Sequence, residues 1–171
     1  MKGVVVDASV ALKWYLDDEE YGQKAMNVLT RYITDELDIL APSLLEYEVV
    51  NGLIIAQRRG RIEEEKVLSA IEGFASLGIR MVNLAPGYSG IIRLCRTYNR
   101  SAYDASYMVV AESERVPLIT ADEGLYNAVK KDLKWVKWLG DERYLSYLRS
   151  RDRRFDDRLS SLGLYSKAIC L

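Results

Sequence analysis

Along this chain, short unbroken apolar runs alternate with longer stretches in which apolar residues recur every third or fourth position. The run GVVVD, residues 3–7, sets no polar residue between its valines. β-Branched residues favour strands, so this run predicts a short strand buried on both faces. SVALKWYL then predicts a helix. After an acidic start at residues 17–20, Ala25, Val28, Leu29, Tyr32 and Ile33 keep helical spacing. LDILAPS predicts a second strand that stops at Pro42, which has no N–H to give a ladder. A long apolar helix runs from Ser43 to Arg59 and stops at Gly60; RIEEEKVLSAIEGFASLG gives another helix, and IRMVNLAP a third strand. Helices around 87–98 and 102–115 meet at YNRS. VPLITAD is a fourth strand, EGLYNAVKK is helical, and LKWVKWLG holds a fifth strand.

Strands that alternate with helices throughout define an α/β class, with a mostly parallel central sheet flanked by helices on both faces. This pattern fills residues 1–140. Residues 141–171, with LRSRDRRFDDRLSS, are highly charged and predict a helical extension rather than a second domain. No apolar run approaches the ~20 residues of a membrane span, and MKGVVVD lacks the pattern of a signal peptide.

Apolar residues make up 49% of the chain, enough for a sizeable core, and 24 basic against 25 acidic residues leave a net charge of −1. That balance excludes a uniformly basic face for coating nucleic acid. Histidine is absent, which removes Ser-His-Asp and Cys-His catalysis and imidazole bases together. Cys95 and Cys170 make neither a disulfide framework nor a zinc site. A cytoplasmic protein that does not enter membranes is expected.

The informative residues are carboxylates. Ligands of open α/β sheets bind beyond the carboxyl ends of the strands. Two predicted strands end there in an acid, Asp7 and Asp122. Each alone suits an N-cap for the following helix; the shared ending points to a shared site. Asp104 lies on an apolar helix face with Tyr107, Met108 and Ala111, and Ser101 with Asp104 has capping-box spacing. Glu46 and Glu48 lie two apart on one helix and point about 200° apart, so one at most faces a site. Periodicity does not choose between them, although Glu48 shares a face with Asn51, Gly52 and Ile55, and Gly52 leaves room for approach. Carboxylates that converge without His or Cys repel unless a cation joins them. Oxygen-only ligation selects Mg²⁺ or Mn²⁺, ions that activate water and neutralise charge on a phosphoryl group.

The segments VVDAS, APSLLEYEVVNGL, YDASYMVVAE and VPLITADEGL, in this order, resemble the PIN-domain family, specifically VapC-like toxin ribonucleases, over about residues 1–138. The resemblance implies a PIN-like α/β/α domain. The family pattern of Pro, a Glu six residues on, an apolar residue and an Asn falls on Pro42, Glu48, Val49 and Asn51. It implies Asp7, Glu48, Asp104 and Asp122 as the catalytic and metal-ligating acids, and Ser9 and Thr120 as hydroxyls that support them. Asn51 matches a polar residue beside the site. The same resemblance implies a Mg²⁺- or Mn²⁺-dependent endoribonuclease, an RNA substrate, a small VapB-like antitoxin that covers the site, and a homodimer.

The alternatives are a PIN nuclease of RNA processing outside toxin–antitoxin pairs, a non-catalytic RNA-binding module, and an aspartyl-phosphate enzyme with Asp7 as nucleophile. The last lacks the second acid two residues on, where Ser9 stands. Lys13, Arg93, Arg96 and Arg100 are candidates for RNA contact. Trp14, Tyr15, Tyr21, Tyr32 and Tyr47 are candidates for a partner face.

Overall fold

A computed structural model describes residues 2–85 and 87–141. The expected charged extension lies, from residue 142 on, outside the described residues. Within them, five parallel strands form one sheet: β1 (Lys2–Val6), β2 (Leu37–Pro42), β3 (Arg80–Val82), β4 (Leu118–Thr120) and β5 (Val136–Trp138), in the order β3-β2-β1-β4-β5. The helices are α1 (Ala8–Ala11), continued by a 3₁₀ turn (Leu12–Trp14), α2 (Gly22–Ile33), α3 (Leu44–Arg58), α4 (Glu64–Ser76), α5 (Tyr88–Tyr98), α6 (Ala102–Glu114) and α7 (Glu123–Val129).

The valine run forms the middle strand. Val4, Val5 and Val6 are at most 1% exposed, with Val4 in register with Ile39 of β2 and Val6 with Ile119 of β4. A strand covered on both faces and paired on both edges needs an unbroken apolar run, and this explains why no polar residue alternates in it. Burying three valines in place of exposing them contributes roughly 1.5–3 kcal/mol each before entropy is counted.

Several predicted elements are shorter than their sequence patterns. SVALKWYL gives one α-turn and a 3₁₀ turn. IRMVNLAP pairs only through Arg80–Val82, because Pro42, the last residue of β2, ends the ladder opposite Val82. LKWVKWLG pairs only through Val136–Trp138, matching the three residues of β4.

The strand order matters for function. From β1 the chain builds outward to β2 and β3, then returns to lay β4 and β5 on the other side of β1. The β1–β4 boundary is therefore the topological switch point, where an open parallel sheet leaves a crevice beyond its carboxyl edge. Asp7 follows β1 and Asp122 follows β4 by one residue.

Candidate active site

Asp7 is at once the end of the core and the start of a helix. Its carboxylate caps α1: Oδ1 accepts from the Ser9 N–H at 2.9 Å, the Val10 N–H at 3.3 Å and, in a short contact, the Ser9 hydroxyl. Only 5% of Asp7 is exposed. Burial pushes its carboxyl up to about 6; hydrogen bonds from Ser9, Thr120 and Val10 oppose this, and the charge of Asp122 adds to it. The capping role read from the sequence is thus real.

The β4 end is built to the same plan. Asp122 caps α7, its Oδ1 accepting from the Leu125 N–H at 2.8 Å. Thr120, fully buried, accepts from the Asp122 N–H at 2.9 Å. The Ser9 hydroxyl oxygen accepts from the Ala121 N–H at 2.9 Å while its hydrogen goes to Asp7. Ser9 therefore stitches the two strand ends together, and Ser9 and Thr120 fix both acids through backbone and side chain.

The helices bring the other two acids. Glu48, on α3, accepts a short hydrogen bond from the hydroxyl of Tyr107 on α6. Burial raises its carboxyl above the usual range; the Tyr107 hydrogen bond opposes this and the charge of Asp104 adds to it. Asp104 stands in the first turn of α6, where its N–H donates to the N-cap Ser101 at 3.1 Å. Its Oδ2 accepts from Nε of Arg100 at 3.0 Å. Tyr107 is 3% exposed. Burial, followed by the negative charges of Glu48 and then Asp7, pushes its hydroxyl far up, while the Ala8 backbone opposes the shift.

The four acids thus belong to one electrostatic neighbourhood. Asp122 acts on Asp7, Asp7 and Glu48 both act on Tyr107, and Asp104 acts on Glu48. Glu46, two residues from Glu48, is exposed and has no part in it. Asn51 is exposed on α3. The room expected at Gly52 is filled by the core: a methyl there would lie 2.6 Å from Cδ1 and Cδ2 of Leu12. Gly52 serves the approach of α3 to the 3₁₀ turn, not access to the acids.

Among the described residues, no group of three or more Asp, Glu or Cys side chains is arranged to hold a metal ion. Each acid is engaged by a protein donor: Asp7 by Ser9, Glu48 by Tyr107, Asp104 by Arg100 and Asp122 by the α7 backbone. The donor set nevertheless fits a hard divalent cation in kind. It is all oxygen, it is partly desolvated, and at Asp7 and Glu48 a neighbouring acid adds to the affinity for positive charge.

Tyr107 and Arg100 are the residues that sequence reasoning undervalued. Tyr107 was visible only as an apolar neighbour of Asp104; the signal in it is that a buried tyrosine hydroxyl needs a partner. Of the proposed RNA-contact residues, Lys13 is 9% exposed and bonded to Glu19 at 2.7 Å, while Arg93 pairs with Glu112. Arg96 is exposed on α5. Of the proposed partner-face aromatics, Trp14 and Tyr15 are core residues at 2% and 1% exposure, and Tyr21 and Tyr32 pack partly buried against the core; Tyr47 is 77% exposed.

A parallel five-stranded sheet with acids at its switch point is the arrangement of a PIN domain. The PIN-domain family model matches residues 4–131, and the chain belongs to that family. It is 30% identical over 119 residues to the VapC ribonuclease Mb0985 of Mycobacterium bovis and to Ribonuclease VapC9 of Mycobacterium tuberculosis, a match that spans 70% of this chain and 85% of each relative. Among solved structures it is similar to PAE2754 from Pyrobaculum aerophilum, with a TM-score of 0.59 and 26% identity over 86% of this chain and 96% of that one.

Proposed function

We propose that this chain is a Mg²⁺- or Mn²⁺-dependent endoribonuclease, the toxin of a VapBC-type toxin–antitoxin pair. The observation that carries the reading is geometric: Asp7 and Asp122 follow the two strands at the switch point, whose ends Ser9 joins, and Tyr107 holds Glu48 from α6, in a chain whose relatives are named VapC ribonucleases. When bound, a divalent cation at these acids supplies an activated water and neutralises charge at phosphorus.

The chain's own residues do the rest. Ser9 and Thr120 hold the strand-end acids in place, and Tyr107 aims Glu48 across from α6 to α3. Histidine is absent, so proton transfer falls to carboxyl groups and water. Burial makes Asp7 and Glu48 poor places for uncompensated charge; positive charge brought to them is favoured, and its binding releases protons.

RNA is the substrate of this reading. A VapB-like antitoxin and a second copy of the chain are its partners, and the cytoplasm is its location. Exposed apolar side chains on several helices, Tyr47, Leu68, Tyr88 and Ile92, give such partners surface to cover. Among the described residues no helix is long and apolar enough to cross a membrane.

The test is cleavage of a single-stranded RNA by the full chain with Mg²⁺ or Mn²⁺, with and without chelator, beside Asp7→Asn. Cleavage that needs the ion and is lost in the variant is expected. Cleavage that survives chelation overturns the metal mechanism. RNA binding without cleavage points to a non-catalytic module.

A further inference from the structure

Arg100 occupies an unusual place for a basic residue on this surface. Its backbone is fixed by the joint between α5 and α6. Asn99 caps α5 in the left-handed region at φ 50°, which Asn tolerates better than most residues. The Arg100 N–H then returns to Cys95 O at 3.3 Å, and Ser101 opens α6 as its N-cap. The side chain leaves this tight joint towards the acids. Nε meets Asp104 Oδ2 at 3.0 Å, and the pair is only 27% and 21% exposed.

The far end of the guanidinium lies over the start of α7. A methyl placed on Gly124 would stand 3.5 Å from Nη1 and 3.6 Å from Nη2 of Arg100, and 3.1 Å from Asp122 Oδ1. The guanidinium and the Asp122 carboxylate both border the space that a side chain at Gly124 would fill. Arg100 is bonded to one acid of the set, Asp104, and lies near another, Asp122.

Building on the metal reading above, we infer that Arg100 is a positioning residue that acts through Asp104, a built-in counter-ion that competes with the divalent cation and sets how tightly the acids hold it. An oxygen that accepts the Nε–H of Arg100 offers less charge to a cation, and a fixed positive group beside Asp122 repels one. Asp104 is engaged by Arg100 within the chain itself. This role separates Arg100 from a residue whose task is to hold the phosphates of RNA. A basic residue away from the acids, serving only RNA phosphates, would leave the affinity of the free protein for metal untouched.

The experiment is calorimetric titration of the full chain, without RNA, with Mn²⁺, for the wild type, Arg100→Gln and Arg100→Lys, with circular dichroism to confirm folding. Arg100→Gln should bind Mn²⁺ about tenfold more tightly or better, as expected when a neighbouring positive charge is removed. Arg100→Lys, which keeps the charge, should stay nearer the wild type. Affinity in Arg100→Gln equal to or weaker than that of a metal-binding wild type overturns the counter-ion role and leaves the metal site standing. Absence of Mn²⁺ binding in all three folded proteins overturns the metal reading, and the counter-ion role with it.

Discussion

The hydroxyl of Tyr107 on α6 donates to the carboxylate of Glu48 on α3, joining two residues 59 apart in sequence. A buried hydroxyl and a half-buried carboxylate satisfy each other between α6 and α3. Tyr107→Phe removes one oxygen and keeps the packing. It leaves Glu48, already raised by burial, without its donor. The metal-free protein should lose about 1–3 kcal/mol, read by urea denaturation in chelator. A variant as stable as the wild type would mean that the contact contributes nothing.

Asp7 sets the pH dependence. Its carboxyl is raised from 3.8 to about 6 in the folded chain, so between about pH 4 and 6 the folded state holds a proton that the unfolded state has released. Stability carried by this group therefore falls as pH rises through that window, and the penalty is complete above it. It is on the order of 3 kcal/mol for a shift of this size. Metal-free wild type should gain stability on acidification from pH 7.5 towards pH 5. Asp7→Asn, which keeps the acceptor oxygen for Ser9 and Val10, should be more stable at pH 7.5 and lose most of that slope. A wild type that weakens steadily over the same range would contradict the assignment.

The parts of this fold that could be read from sequence are those in which one residue type has one use. A short valine run with no polar alternation favours a doubly covered strand, and β1 is one. Asp7 and Asp122 announce themselves because an acid directly after a buried strand, or one residue beyond it, lies at the sheet edge. The order of strands was not legible, since the chain carries no local mark of which side of β1 receives β4. Pairings between distant segments were hidden for the same reason. The Tyr107–Glu48 bond and the filling of the Gly52 space by Leu12 join residues whose neighbours in sequence say nothing of each other. The partner of Lys13, an RNA-contact candidate by sequence, was hidden because Glu19 lies beyond the end of the 3₁₀ turn.

Gly52 offers a test of packing against propensity. In an isolated helix, Gly→Ala stabilises by about 1 kcal/mol. Here the new methyl would meet Leu12 at 2.6 Å, and overpacking of this kind costs about 1–3 kcal/mol. Gly52→Ala should therefore be neutral to destabilising in thermal unfolding, and Leu12→Ala in the same chain should make the added methyl favourable. A gain near 1 kcal/mol in the single variant would show that the approach of α3 to Leu12 is looser than described.

The central claim, that the acids at the switch point act together on a phosphodiester, is tested most directly by two glutamates on one helix. Glu46 is exposed, and Glu48 is half-buried and bonded to Tyr107. Glu46→Gln and Glu48→Gln make the same chemical change two residues apart. The measurement is the rate of Mn²⁺-dependent cleavage of a single-stranded RNA by the wild type and both variants, each shown to be folded. Glu48→Gln should lose activity by orders of magnitude, since the ion's contribution depends on the charge of its ligands, while Glu46→Gln should cleave as the wild type does. Loss in Glu46→Gln with activity kept in Glu48→Gln, or full activity in both, would contradict the account.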